Sequence, residues 1–399
     1  MKLSDIAGLI RLGRPDAPYG VRALARCYDV EDVADLARRR LPAGAAAYLD
    51  GGGEDEWTLR RNREAFGDVQ LLPRVLRDVS HVQTATTALG TDMPLPIILS
   101  PVGAPRMFHH EGELAVARAA RAAGLTYGVS TLATQPLRAI AGAAAGSPLW
   151  FQLYLWGDRS VAKDLLAEAQ DCGYRALLLS ADTTVRSERD RELHRGIELP
   201  TPELTLRTVL DGARHPAWSW RFVTSPAPSF PNLSAHGPTS RAQMKEMFDG
   251  TVSWADLDWI RDAWNGPVAI KGVLRADEAA RAADHGADAV IVSNHGGRQM
   301  DHLPATLDVL PGIVDAVGDR VEVLVDSGFR RGSDIVTALA LGARAVLIGR
   351  AHLYGLAAAG EAGVRHVIDI LGEELRMAMG LCGARTLAEL DRSLLRAAD

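Results

Sequence analysis

Short apolar runs recur along this chain, each followed by a polar or glycine-containing segment and then by a stretch rich in Ala, Arg, Glu and Leu. Eight of these runs, at 95–101, 126–130, 150–154, 176–181, 268–271, 289–293, 321–326 and 345–348, have the length and composition of strands. Their apolar character is continuous rather than alternating, as parallel strands covered on both faces require. The stretches between them, among them 112–123, 161–171, 276–285, 304–317 and 333–341, carry helix formers. Eight such repeats predict an α/β protein folded as a (β/α)8 TIM barrel, in preference to an open doubly wound sheet.

Two regions stand outside the repeat. Residues 1–90 precede the first strand and hold two predicted helices, Val30–Arg40 and 54–65, expected to cap the barrel of residues 91–390. A long insertion at about 197–250, after strand four, is rich in Pro, Ser and Gly and carries Trp218, Trp220, Phe222 and Phe230. A segment of that length inside a compact fold serves as a lid, a partner-binding element or an unstructured loop. Pro216, Pro226, Pro228 and Pro231 argue against one continuous amphipathic helix there. Packing of its aromatics against the barrel is therefore expected, with contact to a membrane surface as the alternative.

Composition narrows the function classes. With 399 residues, 47% hydrophobic and 24% charged, the chain can bury a large core. A net charge of −6 without a basic face gives nucleic acid no purchase. Cys27, Cys172 and Cys382 are odd in number and far apart, which suits a reducing, cytoplasmic compartment rather than a disulfide framework or zinc cluster. His109-His110-Glu111 could suggest a metal pair, but adjacent side chains point apart and no third ligand follows; no metal is expected.

The chemistry lies at the strand ends, where barrels of this kind carry their working residues. In order these ends supply Pro101-Val102-Gly103, Ser130, Gln152 with Tyr154, Ser180 with Asp182, Lys271, Ser293 with His295 and Arg298, Asp326 with Gly328 and Arg330, and Gly349-Arg350. A histidine followed by two glycines and an arginine, at 295–298, sets a proton acceptor beside an anion clamp. The loops after strands seven and eight bring glycine amides and guanidinium groups together, a cradle for a phosphate and hence for a phosphorylated cofactor. No G-x-G-x-x-G run opens a helix after the first strand, which weighs against a dinucleotide fold.

These same residues make the chain resemble the FMN-dependent α-hydroxy acid dehydrogenases and oxidases over roughly residues 30–390, in particular the mandelate dehydrogenases. The stretches that carry the resemblance are Leu41-Pro42, 51–57, Phe151-Gln152-Leu153-Tyr154, Lys271-Gly272, 293–301 and 326–334 through Gly349-Arg350. The resemblance implies FMN and oxidation of an (S)-2-hydroxy acid to the 2-oxo acid by a homo-oligomer, often a tetramer. Oxygen, a quinone or a protein remain open as electron acceptor. By the same resemblance His295 is the base, Asp182 its carboxylate partner and Tyr154 a phenol on the substrate oxygen. Arg298 and Arg189 hold the substrate carboxylate, and Lys271 sits beside flavin N1 and O2. Pro101, Val102, Gly103, Ser130, Gln152, Ser180 and Ser293 lie around the flavin ring system; Asp326, Gly328, Arg330, Gly349 and Arg350 take the ribityl chain and phosphate.

Two departures bear on the substrate. Ala46 stands where the family carries a carboxylate-binding tyrosine, and Arg195 where an asparagine is common. A missing phenol at 46 predicts a wider pocket and a bulky or aromatic acid such as mandelate. The alternatives are a tailoring or maturation enzyme of the same fold acting on a larger or peptidic substrate, and a non-catalytic barrel that binds a phosphorylated ligand. The His295, Asp182 and Lys271 set argues against the last.

Overall fold

The computed structural model describes residues 19–185, 187–196, 205–226, 228–234 and 249–397. Eight parallel strands close into a barrel: β1 (Ile97–Leu99), β2 (Thr126–Ser130), β3 (Leu149–Leu153), β4 (Ala176–Ser180), β5 (Val268–Val273), β6 (Ala289–Val292), β7 (Glu322–Val325) and β8 (Ala345–Ile348). Each pairs with the next, and β8 closes on β1 through Val346 opposite Ile97. Every position of β1–β4, β6 and β8 is buried, which explains why their sequences run apolar without alternation. Strand β1 is shorter than its apolar run because Pro96 and Pro101, which bracket it, have no N–H to give the ladder.

Register decides which polar side chains become neighbours. Ser130 on β2 lies opposite Gln152 at the end of β3, and Ser180 on β4 lies opposite Lys271 on β5. Between Lys271 and Val273 the pairing with β6 slips at Gly272, whose φ is +104°. A Cβ at that position would fall 2.6 Å from the Asp182 side chain, so only glycine lets β5 pass under this carboxylate.

The N-terminal segments pack on the barrel's helices and reach its mouth. Val30–Arg40 is capped by Asp29, which accepts from Asp32 N–H at 2.8 Å, and lies against the helix Arg350–Ala359 that follows β8. The helix expected from residue 54 starts later, as Trp57–Glu64, because its cap comes from far along the chain. Asp301, in the loop after β6, accepts from the N–H groups of Trp57 (3.0 Å) and Thr58 (2.7 Å). A further helix, Ala43–Asp50, was not predicted; its run of Ala and Gly has no polar–apolar period to reveal it.

The insertion forms no single continuous helix, as its prolines imply. It contains two helices, Leu206–Arg214 and Pro216–Thr224, with Thr205 capping the first and Pro216 at the first position of the second, where its missing N–H costs nothing. Trp218 Nε1 donates to Met107 O at 2.9 Å and Phe230 is buried, so part of the segment packs on the barrel as expected. Asp211 reaches across to accept from Ala43 N–H at 2.6 Å. Residues 197–204 and 235–248 of the insertion lie outside the described residues. Among those described, no helix is long and apolar enough to cross a membrane.

Candidate active site

The C-terminal ends of the strands open into a cavity of about 640 Å³. Its wall includes Pro101, Val102, Gly103, Tyr154, Arg189, Lys271, His295, Arg298, Asp326, Gly328, Gly349 and Arg350, contributed by the segments after five strands (β1, β3, β6, β7 and β8), by the loop that follows β4, and by β5 itself. Residues scattered over 250 positions of sequence therefore meet because the barrel places every strand end on one face.

His295 adopts a left-handed backbone, φ 58°, followed by Gly296 and Gly297 at 69° and 71°. For a non-glycine residue that conformation is strained, and it lifts the imidazole out of line with β6. Asp182 receives it: His295 Nδ1 lies 3.1 Å from Oδ2 and 3.2 Å from Oδ1. Burial opposes the Asp182 charge, but His295 and then Lys271 outweigh it and hold this carboxyl below its usual range. A permanently ionised Asp182 fixes Nδ1 as the protonated nitrogen and leaves Nε2 as the basic one.

Behind the imidazole lies a buried polar chain. Ser293 Oγ accepts from Lys271 Nζ (2.8 Å) and from His295 N–H (3.1 Å). Lys271 Nζ also pairs with Asp326 at 2.8 Å. Burial works to discharge Lys271, yet Asp326 and Asp182 together raise its pKa above the ordinary value, so the cation persists. On the adjoining strands Gln152 donates to Ser180 Oγ (3.1 Å) and accepts from Ser130 Oγ (3.0 Å). These three and Ser293 sit just beneath the cavity rather than in its wall.

Three guanidinium groups crowd one side. Arg298 donates from Nη1 to the carbonyls of Tyr48 and Gly51, both at 2.8 Å, and its guanidinium carbon lies 4.8 Å from the centre of the Tyr48 ring. Arg189 donates to Arg298 O at 3.0 Å and to Gln299 Oε1 at 3.1 Å. Among the described residues Arg350 donates only to carbonyls, those of Leu49, Gly296 and Gly51, at 2.7–3.0 Å. Its pKa is pushed down to about 9, by burial first and then by Arg298. Arg330 is placed differently: its side chain turns to Phe329 O (2.8 Å) and lies over the Tyr354 ring, outside the cavity wall, with Nε 3.9 Å from Glu31 Oε1.

Some of the site was not foreseen. Tyr48, Phe108, Glu192, Leu193 and Gln299 line the cavity, and Glu192 could have been noticed as a carboxylate one helical turn after Arg189. Ala46 does not line it. Ala46 and Tyr48 are two positions apart on the helix Ala43–Asp50, a rotation of roughly 200° that points them to opposite sides. The expectation that Ala46 widens the pocket is thus corrected: the methyl is turned from the wall that Tyr48 supplies.

Residues 37–397 match the family of FMN-dependent dehydrogenases. The chain belongs to this family. As an FMN-dependent dehydrogenase it oxidises a 2-hydroxy acid. It is 40% identical to a putative L-lactate dehydrogenase of Mycobacterium tuberculosis, over 98% of this chain and 94% of that one. It is 44% identical to the L-lactate dehydrogenase of Caulobacter vibrioides, over 91% and 96% of the two chains. Among solved structures it resembles the monotopic membrane protein (S)-mandelate dehydrogenase, with a TM-score of 0.89 and 38% identity over 93% of this chain and 99% of the other. A mandelate oxidase structure superposes at 0.80, with 36% identity over 93% and 98%.

The residues present suit FMN. A guanidinium whose pKa is pushed down to about 9, by burial first and then by Arg298, is what a phosphate would relieve, and it stands beside the open backbone of Gly349. Lys271, charged and buried in the wall of the same cavity, is matched to a ring system that gains negative charge on reduction.

Proposed function

We propose that the enzyme oxidises an (S)-2-hydroxy acid with an aromatic or otherwise bulky side chain to the corresponding 2-oxo acid. The observation that carries this reading is the Asp182–His295 pair at 3.1 Å, set in the same cavity wall as Arg189 and Arg298. The two guanidinium groups hold the substrate carboxylate and so bring C2 and its hydroxyl to a fixed place. His295 takes the hydroxyl proton at Nε2, and Asp182 stabilises the imidazolium that results. Tyr154, whose phenol is kept protonated by burial and then by the Asp182 charge, donates to the substrate oxygen. FMN, when bound, would supply the acceptor for the hydride that leaves C2, so that the hydroxyl proton and the C2 hydrogen with its electron pair are both accounted for. Lys271 would lie at its N1 and O2, and Pro101–Gly103 against the ring. Gly328, Gly349 and Arg350 would hold the ribityl chain and phosphate, with Arg330 just outside.

Support for a bulky acid comes from Phe108, Leu132 and Leu193 in the wall, which offer apolar area worth about 25 cal/mol per Å² of burial. The likeness in structure to enzymes that act on mandelate points the same way. The test is kcat/KM for (S)-mandelate against L-lactate. A ratio above one supports the reading, and a strong preference for lactate overturns it.

The insertion suggests where such an enzyme would sit. Leu206 and Val223 are each 77% exposed and Trp220 70%, with Val209 and Leu210 also exposed, so the two insertion helices present large apolar side chains to solvent. Peripheral docking on a membrane surface through this face is our second reading, concerning location rather than chemistry.

A further inference from the structure

We propose that Glu192 is a specificity-determining residue: its carboxylate stands in for the substrate's on the arginine pair, and a 2-hydroxy acid must displace it to bind. The inference rests on the reading that Arg189 and Arg298 receive the substrate carboxylate. Glu192 Oε1 lies 2.7 Å from Arg298 Nη2, and Oε2 lies 3.7 Å from Arg189 Nη1. It belongs to the short helix Asp190–Leu193, lines the cavity, and is buried with the rest of that wall. Among the described residues it is the only carboxylate ion-paired with either arginine.

The remaining contacts show that neither guanidinium needs Glu192 to be held in place. Arg298 is fixed by two carbonyls and the Tyr48 ring, and Arg189 by a carbonyl and the Gln299 amide oxygen. All of these acceptors are uncharged. Glu192 therefore supplies charge where position is already set, and it does so on the donors that an incoming carboxylate would use. A neutral ligand gains nothing by displacing it, because the half-buried arginines would be left without a charge partner. A carboxylate exchanges one ion pair for another, and the enzyme admits acids while rejecting the corresponding amides or esters.

The sign of the effect separates this role from a scaffolding one. Glu192→Gln keeps shape and hydrogen bonding but removes the competing charge, so an acid should bind more tightly, by about tenfold, the size of one partly screened charged contact. Titrating FMN-loaded protein calorimetrically with the unreactive 2-oxo acid phenylglyoxylate, and in parallel with its amide, reads this directly. The expected result is tighter binding of the acid and no tightening of the amide. Weaker or unchanged acid binding in Glu192→Gln, or equal tightening of both ligands, overturns the proposal. Arg298→Gln is measured alongside. If that variant binds the acid as the wild type does, the assignment of the carboxylate site fails, a result distinct from failure of the Glu192 role alone.

Discussion

His295 Nδ1 and Asp182 Oδ2 are 3.1 Å apart although 113 residues separate them, and the approach depends on Gly272 lying beneath the carboxylate. The pair sets which ring nitrogen is basic. Replacing Asp182 with Asn keeps a hydrogen-bonding group but lets the imidazole adopt the wrong tautomer. Flavin reduction by the acid should slow by roughly 10²-fold or more while FMN stays bound, as rapid-mixing absorbance would record.

Lys271 and Asp326 form a buried ion pair at 2.8 Å, so removing one partner strands the other's charge. Lys271→Met should lower unfolding free energy by about 3–5 kcal/mol, and adding Asp326→Asn should recover part of it. Chemical denaturation of the three proteins provides the comparison. The single variant should also lower the flavin midpoint potential, since the cation no longer meets the charge of the reduced ring.

Glu113 is fully buried, at the start of the helix Glu113–Ala123, and accepts from Thr134. Burial raises its pKa to about 7 despite the Thr134 hydrogen bonds. A carboxyl raised in the fold binds more protons folded than unfolded between its two pKa values. Stability should therefore fall as pH climbs from about 4.5 to about 7, by up to about 3 kcal/mol. Glu113→Gln should flatten that part of the profile, as denaturation midpoints at pH 5.5 and pH 8 would reveal.

Arg350 lines the cavity and Arg330 does not. Arg350→Ala should accordingly cost more FMN on gel filtration than Arg330→Ala. One charge-assisted phosphate contact is worth about 1.5–3 kcal/mol, roughly a ten- to hundredfold change in retention.

The exposed face of the insertion gives a further expectation. The wild type should sediment with phosphatidylethanolamine–phosphatidylglycerol vesicles, and Leu210→Ser with Trp220→Ser should release it.

Much of the molecule was legible in the sequence because a parallel barrel writes itself as repeated apolar runs, and because strand ends are also where the site lies. What stayed hidden depended on partners far along the chain. Helix Trp57–Glu64 is capped by Asp301, which no local signal reveals. The face on which Ala46 sits follows from a helix with no amphipathic pattern. Pro216 reads as a breaker in sequence and begins a helix in the fold. Arg330 reads as a phosphate ligand from its place after β7, whereas packing against Tyr354 decides where its side chain goes.

The central claim is that His295 takes the substrate proton as the acid is oxidised. Its most direct test is anaerobic mixing of FMN-loaded wild type and His295→Asn with (S)-mandelate, following the bleaching of the flavin band. The wild type should bleach and the variant should retain FMN yet bleach slower by the order of 10²–10⁴. Bleaching of His295→Asn at the wild-type rate would contradict it.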